Sequence, residues 1–381
     1  MPQVSVRRCP HYSQAQTAVN LALQDVGAKK LFSPGDRVLL KVNCLSAKDP
    51  QETVTTHPEV VVALALWFKD RGAQVLVGDS SAGFGGDPAA STARALQKSG
   101  MAEAAARAGA QLVNLDSHGA NAIHGGRVLS PVLIAGPVLD ADLVVSVAKL
   151  KTHGLTLFTG AVKNMYGTVP GGTKPAYHKA APTLGDFCQG VVDICLAAKP
   201  RLAVMDGVVG MEGAGPSAGT PRHVGVVLAS EDPVALDTVA CRLIGCDPHR
   251  VQTNIIGQHR GLGSMEDIQV LGDEVEPIEF QLPPSGVAGA VIPGLSRLMN
   301  LIGYLPNFSP EICINCNICV ASCPVEVLTT AEPHPLLDAN KCIQCFCCHE
   351  LCPEHAITLK PRYPKARKVM DWLMQKRRKK Q

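Results

Sequence analysis

The chain has 381 residues, a length that corresponds to roughly two or three domains, or to one large α/β domain with a smaller one. Because 46% of the residues are hydrophobic, the chain can bury a sizeable core. Its longest apolar run, residues 60–68, falls far short of the roughly 20 residues of a membrane-spanning helix, so we expect no integral membrane segment. The formal net charge is +3, but residues 360–381 carry ten Lys or Arg against one Asp, which leaves an acidic body. Nucleic acid is therefore not an expected partner. Residues 1–19 contain no hydrophobic signal segment, and we expect a cytoplasmic location.

Apolar β-type runs alternate with helical patterns through the first two thirds of the chain. Strands are predicted over residues 37–42, 73–78, 111–116, 143–148, 202–205 and 224–229, and helices over 58–71, 91–108 and 233–244. Continuous apolar strands between amphipathic helices are typical of parallel strands that are covered on both faces. The sequence therefore predicts an α/β domain over residues 1–275, with an open, layered, mostly parallel sheet.

Polar clusters follow several of these strands, at the edge where open α/β sheets bind ligands. They lie at residues 41–43, 56–58, 79–81, 149–154, 163–167, 206–207 and 211–216. In the densest, Lys149, Lys151, His153 and Lys163 place cationic or titratable groups at the mouth of one apolar strand, and alternation directs Lys149 and Lys151 to the same face. This pattern predicts a site for an anionic small molecule, such as a carboxylate or phosphate, with His153 as an acid or base near neutral pH.

Two acidic residues complete this candidate catalytic set. Asp206 and Glu212 are expected to pair with the lysines or to handle protons. The alternative is that all these residues are ordinary solvated strand ends and salt bridges. No motif supports a nucleotide cofactor or a hydrolase, because the chain lacks GxGxxG, GxxxxGK[ST] and GxSxG, and the glycine-rich stretch at 83–86 has the wrong order.

Composition changes after residue 275. Residues 276–307 read as a Pro- and Gly-containing linker with a short amphipathic helix near 295–302. A cysteine-rich domain follows over 308–361, and residues 362–381 form a basic tail. Residues 365–379 could form a basic amphipathic helix that docks on an acidic redox partner or a membrane surface, or they could be a solvated terminus.

Nine of the fifteen cysteines fall within residues 313–352. Such density in a reducing compartment indicates metal binding rather than disulfides. Two runs share the spacing C-x2-C-x2-C-x3-C-P, which is typical of bacterial ferredoxins with two [4Fe-4S] clusters. Zinc ribbons also use CxxC pairs, but the longer run, present twice, is more specific. The segment therefore resembles a two-cluster ferredoxin.

The spacing also predicts the ligands, because the fourth cysteine of each run reaches the other cluster. The two predicted ligand sets are Cys313, Cys316, Cys319 and Cys352 for one [4Fe-4S] cluster, and Cys342, Cys345, Cys348 and Cys323 for the other. The ninth cysteine, Cys347, fits neither run and is expected to be a spare thiol.

Several motifs together resemble the family catalogued as domain of unknown function 362. They are K-x-N at 41–43, T-H-P-E at 56–59, G-D-S at 78–80, K-x-K-T-H at 149–153, K-N-x-x-G at 163–167, D-G with E-G-x-G-P at 206–216, and D-P-V-A-L-D at 232–237. With the ferredoxin part, which family members often carry at one end, the resemblance covers about two thirds of the chain. It implies an iron–sulfur protein and no particular reaction.

Three functions are compatible with these features. In the first, a redox partner protein or low-potential electron donor supplies electrons, which pass through the clusters to an anionic small molecule in the α/β domain. In the second, the protein is a non-enzymatic electron carrier or adaptor whose α/β domain recognises a redox partner. In the third, it is a redox-sensing or regulatory binding module.

Overall fold

The computed structural model describes residues 1–81, 86–283 and 303–365. Within these ranges, no helix combines the length and apolar character that crossing a membrane requires. The glycine-rich stretch at 83–86, except its last residue, lies outside the described residues. So do the helix expected near 295–302 and nearly all of the basic helix expected over 365–379.

One large sheet organises the α/β domain. Its strands are β1 (Gln3–Arg8), β2 (Arg37–Lys41), β3 (Gln74–Asp79), β4 (Gln111–Asn114), β7 (Leu143–His153), β8 (Leu157–Phe158), β9 (Leu202–Glu212), β10 (Thr220–Ser230) and β11 (Gln269–Gly272). Strands β5 (Ala120–Ile123) and β6 (Val132–Ala135) lie outside this sheet and pair with each other. The order is β11-β1-β10-β9-β7-β2-β3-β4, with β8 against β7. Among the main strands only β10 runs antiparallel to its neighbours. The predicted mostly parallel α/β sheet is confirmed.

Helices cover both faces of this sheet. They are α1 (Ala15–Asp25), α2 (Pro58–Lys69), α3 (Pro88–Lys98), α4 (Met101–Ala108), α5 (Gly136–Leu139), α6 (Gly160–Asn164), α7 (Lys174–Ala180), α8 (Leu184–Ala198), α9 (Pro233–Leu243) and α10 (Gln252–His259). Short 3₁₀ turns lie at Tyr12–Gln14, Ala28–Leu31, Pro50–Glu52, Leu115–Ser117, Met165–Thr168, Gly171–Thr173 and Pro248–Arg250. Alternate residues of one strand face different helices: Val38 and Leu40 join a core with α1 and α2, whereas Leu39 joins one with α8.

The ends of several elements differ from the prediction for physical reasons. Strand β7 was expected to end at residue 148, where the polar cluster begins, but it continues to His153. The polar residues from Lys149 to His153 are buried, so they remain part of the strand. The helix expected over 91–108 is two helices, since Gly100 adopts φ +76° between α3 and α4. A Cβ there would lie 2.8 Å from Pro58, which favours glycine at this close contact with α2.

The cysteine-rich segment folds as two similar halves. It contains β12 (Tyr304–Phe308), α11 (Ile318–Ala321), β13 (Leu328–Thr329), β14 (Leu336–Leu337), α12 (Cys347–Glu350) and β15 (Ile357–Pro361). Strand β12 pairs antiparallel with β15, and β13 with β14. At equivalent positions of the two runs, Asn317 and Phe346 adopt left-handed conformations just before the short helices. The internal repeat seen in the cysteine spacing is thus a repeat of backbone structure.

The turn that starts α6 gives a stability prediction. Gly160 has φ +63°, and a Cβ there would overlap the buried carboxylate of Asp237, which accepts hydrogen bonds from the first amides of α6. Gly160→Ala should lower the free energy of unfolding by about 2–4 kcal/mol, from left-handed strain and overpacking.

Gly261 is the matched control, because it has φ +71° but no neighbouring atom within 4 Å of the point that a Cβ would occupy. Gly261→Ala should therefore lower the free energy of unfolding by about 1–2 kcal/mol, from strain alone. Urea denaturation of both variants measures the difference. Equal losses would show that the Asp237 carboxylate does not restrict this turn.

Candidate functional site

A cavity of about 660 Å³, counting its open mouth, lies at the carboxyl ends of β2, β3 and β7. We call it the lysine cavity, because Lys41, Lys151, Lys163 and Lys174 line it. The other lining residues are Asn43, Cys44, Leu45, Asp79, Ser80, His153, Leu155, Thr159, Asn164, Tyr166, Gly167, His178, Phe187, Pro216 and Glu350.

One lysine of the cavity is neutralised by a buried carboxylate. Lys41 Nζ lies 2.9 Å from Asp79 Oδ1, and both side chains are almost fully buried. Burial lowers the pKa of Lys41 and raises that of Asp79, while their mutual attraction opposes both shifts. Asp79 also accepts hydrogen bonds from the backbone amides of Cys44 and Ser80. Gly167 leaves room for the pair, because a Cβ there would overlap Asp79 Oδ1.

Two further lysines are held by neutral oxygens. Lys151 Nζ donates to Val54 O at 2.6 Å. Lys174 Nζ donates to Ser80 O at 2.6 Å, to Ser80 Oγ at 2.9 Å and to Ser81 O at 2.9 Å. Burial is the main cause that lowers the pKa of Lys151 to about 7 and that of Lys174 to about 8. Both ammonium groups are thus held in place without a carboxylate in direct contact.

Lys163, on α6, differs from the other three. Its ammonium makes no hydrogen bond or ion pair with any residue in 1–81, 86–283 or 303–365, although burial lowers its pKa. Among the described residues, the Lys163 ammonium therefore has its hydrogen-bond donors available for a bound molecule.

His153 ends β7 and points its ring into the cavity. Its Nδ1 accepts hydrogen bonds from the amides of Leu155 and Thr156, so Nε2 carries the proton of the neutral ring. That Nε2 lies 3.4 Å from Glu350 Oε1 without hydrogen-bond geometry. Burial, with Lys163 and Lys151 nearby, lowers the pKa of His153 well below its ordinary value. The neutral ring suits donation of a hydrogen bond from Nε2 better than proton abstraction near neutral pH.

Three buried polar atoms that line the cavity lack hydrogen-bond partners among the described residues. They are His153 Nε2, Asn43 Oδ1 and Thr159 Oγ1. Buried polar atoms without partners are rare in folded proteins, because losing water without a replacement costs free energy. The described residues contain further unpartnered atoms elsewhere, such as Thr53 Oγ1, but these three share one cavity, where a bound polar molecule would satisfy them.

An aromatic cluster forms another wall. His178 stacks on Phe187 with ring centroids 4.7 Å apart, and Tyr166 contacts both rings edge-on. His178 is buried, and burial lowers its pKa to about 3. The histidine ring of this wall is therefore neutral near pH 7.

The cysteine-rich domain closes the cavity. Glu350, the last residue of α12, lines it with its side chain, and Ser217 Oγ donates a hydrogen bond of 2.7 Å to Glu350 O. Just before Glu350 in the chain, the Sγ atoms of Cys345 and Cys347 lie within 4.8 Å of a ring nitrogen of His178. The α/β domain therefore contacts the cysteine domain through the residues that wall the lysine cavity.

The predicted ligand cysteines border two separate cavities of about 350 Å³ each. One is lined by Cys313, Cys316, Cys319 and Cys352, and the other by Cys323, Cys342, Cys345 and Cys348, together with Cys347. The amides of Val327 and Ala356 donate to the sulfurs of Cys323 and Cys352. Each cavity contains the four cysteines of one crossed set expected from spacing, and the second contains Cys347 as a fifth. Four thiols are the donor set that a [4Fe-4S] cluster needs.

Two of the predicted α/β residues form a separate buried group. Lys149 Nζ lies 2.8 Å from Asp206 Oδ2 and donates to the Tyr12 hydroxyl at 3.0 Å. Burial lowers the pKa of Lys149. Asp206 also accepts from the backbone amide of His57, whose ring stacks on Tyr12. Parallel pairing of β7 with β9 sets Lys149 opposite Asp206, and the pairing shifts register before Lys151.

Glu212 lies outside both groups, since its Oε2 accepts a hydrogen bond from the amide of Gln281. Cys44, which follows the K-x-N motif, is buried, and burial with Asp79 nearby raises its pKa to about 12. The structure thus brings Lys151, His153 and Lys163 together at the lysine cavity. Sequence reasoning missed Lys174 and Glu350, because Lys174 follows no strand and Glu350 belongs to the other domain.

The fold and the cysteine arrangement define an iron–sulfur protein in which an α/β domain is joined to a ferredoxin-type 4Fe-4S domain. The family model described as "Domain of unknown function (DUF362)" matches residues 38–242, and that of a "4Fe-4S dicluster domain" matches residues 305–353. The chain belongs to the domain of unknown function 362 family, with the dicluster domain at its C-terminal side.

The chain is similar to a curated relative and to a solved structure. It is 32% identical over 299 residues to the "Thylakoid-associated protein sll1697" of Synechocystis sp. (strain ATCC 27184 / PCC 6803 / Kazusa), covering 74% of this chain and 91% of that protein. The structure of the lactate racemase apoprotein from Thermoanaerobacterium thermosaccharolyticum has a TM-score of 0.42 at 12% identity, covering 63% of this chain and 56% of the other.

The Lys149–Asp206 pair should contribute mainly to stability. Lys149→Met leaves a buried carboxylate without its cation, so the free energy of unfolding should fall by about 3–5 kcal/mol. In the matched control, Lys98→Met breaks an exposed ion pair of similar length with Asp49 and should cost about 0.5 kcal/mol or less. Urea denaturation checks both values. A small loss in Lys149→Met would contradict a structural role for the pair.

Crossed ligation can be tested by spectroscopy of the reduced, iron-loaded protein. Cys352→Ala should perturb the same cluster signal as Cys316→Ala, and a different signal from Cys345→Ala, because the cavities group the cysteines in this way. Electron paramagnetic resonance distinguishes the signals. Cys347→Ala is the control and should leave iron content unchanged. Joint effects of Cys352→Ala and Cys345→Ala on one signal would contradict the assignment.

Proposed function

We propose that this protein is an iron–sulfur oxidoreductase that exchanges electrons with an anionic small molecule in the lysine cavity. The proposal is based on one short segment, residues 345–350, that lines two cavities. Cys345 lines a predicted cluster cavity, and Glu350 lines the lysine cavity. Two bound [4Fe-4S] clusters would supply one-electron transfer between a redox partner protein or low-potential donor and this cavity.

The ligand groups of the proposed clusters are the eight cysteines of the crossed sets. They are Cys313, Cys316, Cys319 and Cys352 for the first, and Cys342, Cys345, Cys348 and Cys323 for the second. We also propose the domain division expected from sequence, with the α/β domain over 1–275, a linker over 276–307, the ferredoxin-like domain over 308–361 and a basic tail over 362–381.

The chain's own residues would bind and orient the anion. Lys151 and Lys163 attract it electrostatically, and the effect is strong because the surroundings are poor in water. His153 donates a hydrogen bond from Nε2 to an oxygen of the bound molecule. The rings of His178 and Phe187 exclude water from one side. Lys151 is already held in place by a backbone carbonyl, so it can contact the anion without moving.

The proposal is tested by reoxidation of the reduced protein. The full chain is loaded anaerobically with iron and sulfide, reduced, and mixed with a panel of small organic acids while cluster absorbance is followed. An acid that accepts electrons should reoxidise the clusters. In Lys151→Met the rate should fall roughly 10- to 100-fold, as expected from losing a charged contact of about 1.5–3 kcal/mol.

Lys179→Met is the matched control, because this lysine is exposed on α7 and does not line the cavity. Its reoxidation rate and iron content should equal those of the unmodified chain. Transfer of electrons to a partner protein at a rate that Lys151→Met leaves unchanged would instead favour the carrier function. Reoxidation by an acid without any effect of Lys151→Met would refute the cavity as the site.

A further inference from the structure

The charges that line the lysine cavity do not balance. Four lysines line it, and the carboxylates among the lining residues are Asp79 and Glu350. Asp79 is in direct contact with Lys41, and Glu350 Oε1 lies 3.4 Å from His153 Nε2. With the histidines neutral, the described lining carries two more positive than negative charges. Buried charges without counter-charges are costly, so a ligand that supplies the missing charge would be strongly favoured.

The position of the excess charge also matters. Lys163 has no hydrogen bond or ion pair within the described ranges, and Lys151 and Lys174 are held by neutral oxygens. These contacts hold the ammonium groups at the cavity, and no carboxylate of the described residues lies within ion-pair distance of them. The site is therefore built to receive negative charge at more than one point.

The iron–sulfur domain contributes Glu350, and the charge balance above already includes it. After burial, Glu350 is the group that acts most on the pKa of Lys163, followed by Cys188 and Cys347. On Lys151 the charged groups that act most are Lys163 and then Glu350. Those that act on Lys174 are Asp79, Asp116, Lys41 and Lys163, which all belong to the α/β domain.

The unpartnered polar atoms add a second requirement. His153 Nε2 offers a donor, Thr159 Oγ1 can donate or accept, and Asn43 Oδ1 is an acceptor. A ligand that satisfies all three has acceptor oxygens and at least one hydrogen-bond donor. A hydroxyl or a protonated phosphate oxygen supplies that donor.

We infer that the lysine cavity binds a small dianion, a dicarboxylate or a phosphate, that also carries a hydrogen-bond donor. This inference rests on the proposed function and deepens it, since it names the charge class of the anion. A monocarboxylate would leave one cation of the cavity without a counter-charge.

Calorimetric binding to the full-length, cluster-loaded protein tests the inference. Hydroxymalonate is compared with its monoamide, which has the same number of heavy atoms, the same hydroxyl donor and one charge fewer. Phosphate is compared with sulfate, which lacks a hydrogen-bond donor. Hydroxymalonate should bind at least about tenfold more tightly than its monoamide, and phosphate more tightly than sulfate. The stronger of hydroxymalonate and phosphate identifies the carboxylate or the phosphate as the preferred group.

Lys163→Met should remove most of the preference for hydroxymalonate over its monoamide, and the exposed-lysine control Lys179→Met should retain it. Because the two ligands are compared on the unmodified chain, a folding defect of a variant does not decide the result. Equal binding of hydroxymalonate and its monoamide would overturn the inference, and so would dianion binding only in protein without clusters. If a monocarboxylate then reoxidised the reduced clusters in a Lys151-dependent way, the proposed function would stand while the dianion inference fell.

The affinity for sulfate should also depend on pH. Lys151, which faces Lys163, Glu350, Lys149 and Asp79, has a pKa of about 7 without ligand, and a bound anion raises it. Binding should therefore be strongest below about pH 7, weaken as pH rises, and take up protons near neutral pH. Sulfate keeps its charge over this range, so the change reports on the protein. Calorimetry in buffers of different ionisation enthalpy measures the uptake, and its absence would argue against charged Lys151 as a ligand contact.

Discussion

The buried ion pair between Lys41 and Asp79 joins the ends of two neighbouring parallel strands, and the cavity is built around it. Two charges removed from water need further hydrogen bonds, because their mutual attraction does not repay the loss of solvation alone. Lys41 supplies its bonds to Val42 O and Asn164 Oδ1, and Asp79 accepts from the amide of Cys44. Satisfying one ion pair thus fixes the loops after β2 and β3 and the end of α6, which together carry most of the cavity wall.

The remaining lysines depend on that frame. Lys174 reaches the backbone oxygens of Ser80 and Ser81, which directly follow the ion-paired Asp79, while Lys163 and Asn164 lie side by side at the end of α6. The hydrogen bonds of Lys151 and Lys174 to oxygens of the protein hold these cations at the cavity. One edge of the sheet therefore carries an excess of positive charge, which the proposed anion would balance.

Sequence reasoning anticipated the parts of the molecule that follow local rules. Apolar periodicity was sufficient to predict the mostly parallel sheet. Thiol spacing predicted two sets of four cysteines, and each set lines one cavity, but the assignment of these residues as cluster ligands stays a prediction. Lys151, His153 and Lys163 were grouped because they follow one strand. Glu350 could not be added to them, since the contact depends on how two domains pack.

Other differences also arise from tertiary structure. Alternation along a strand suggested one shared site for Lys149 and Lys151, but the neighbouring β9 offers Asp206 to Lys149, and a register shift follows. Strand order decides which residue lies beside a buried lysine. The order of strands cannot be deduced from the sequence of any single strand.

The contact of Ser217 with Glu350 has a consequence for how this chain is assembled. The ferredoxin-type domain is a wall of the cavity as well as a domain beside it, so the cavity is complete only when both domains are folded and docked. Without the cysteine-rich domain, the side of the cavity that Glu350 lines would be open to water. The shape of the cavity therefore depends on residues of both domains.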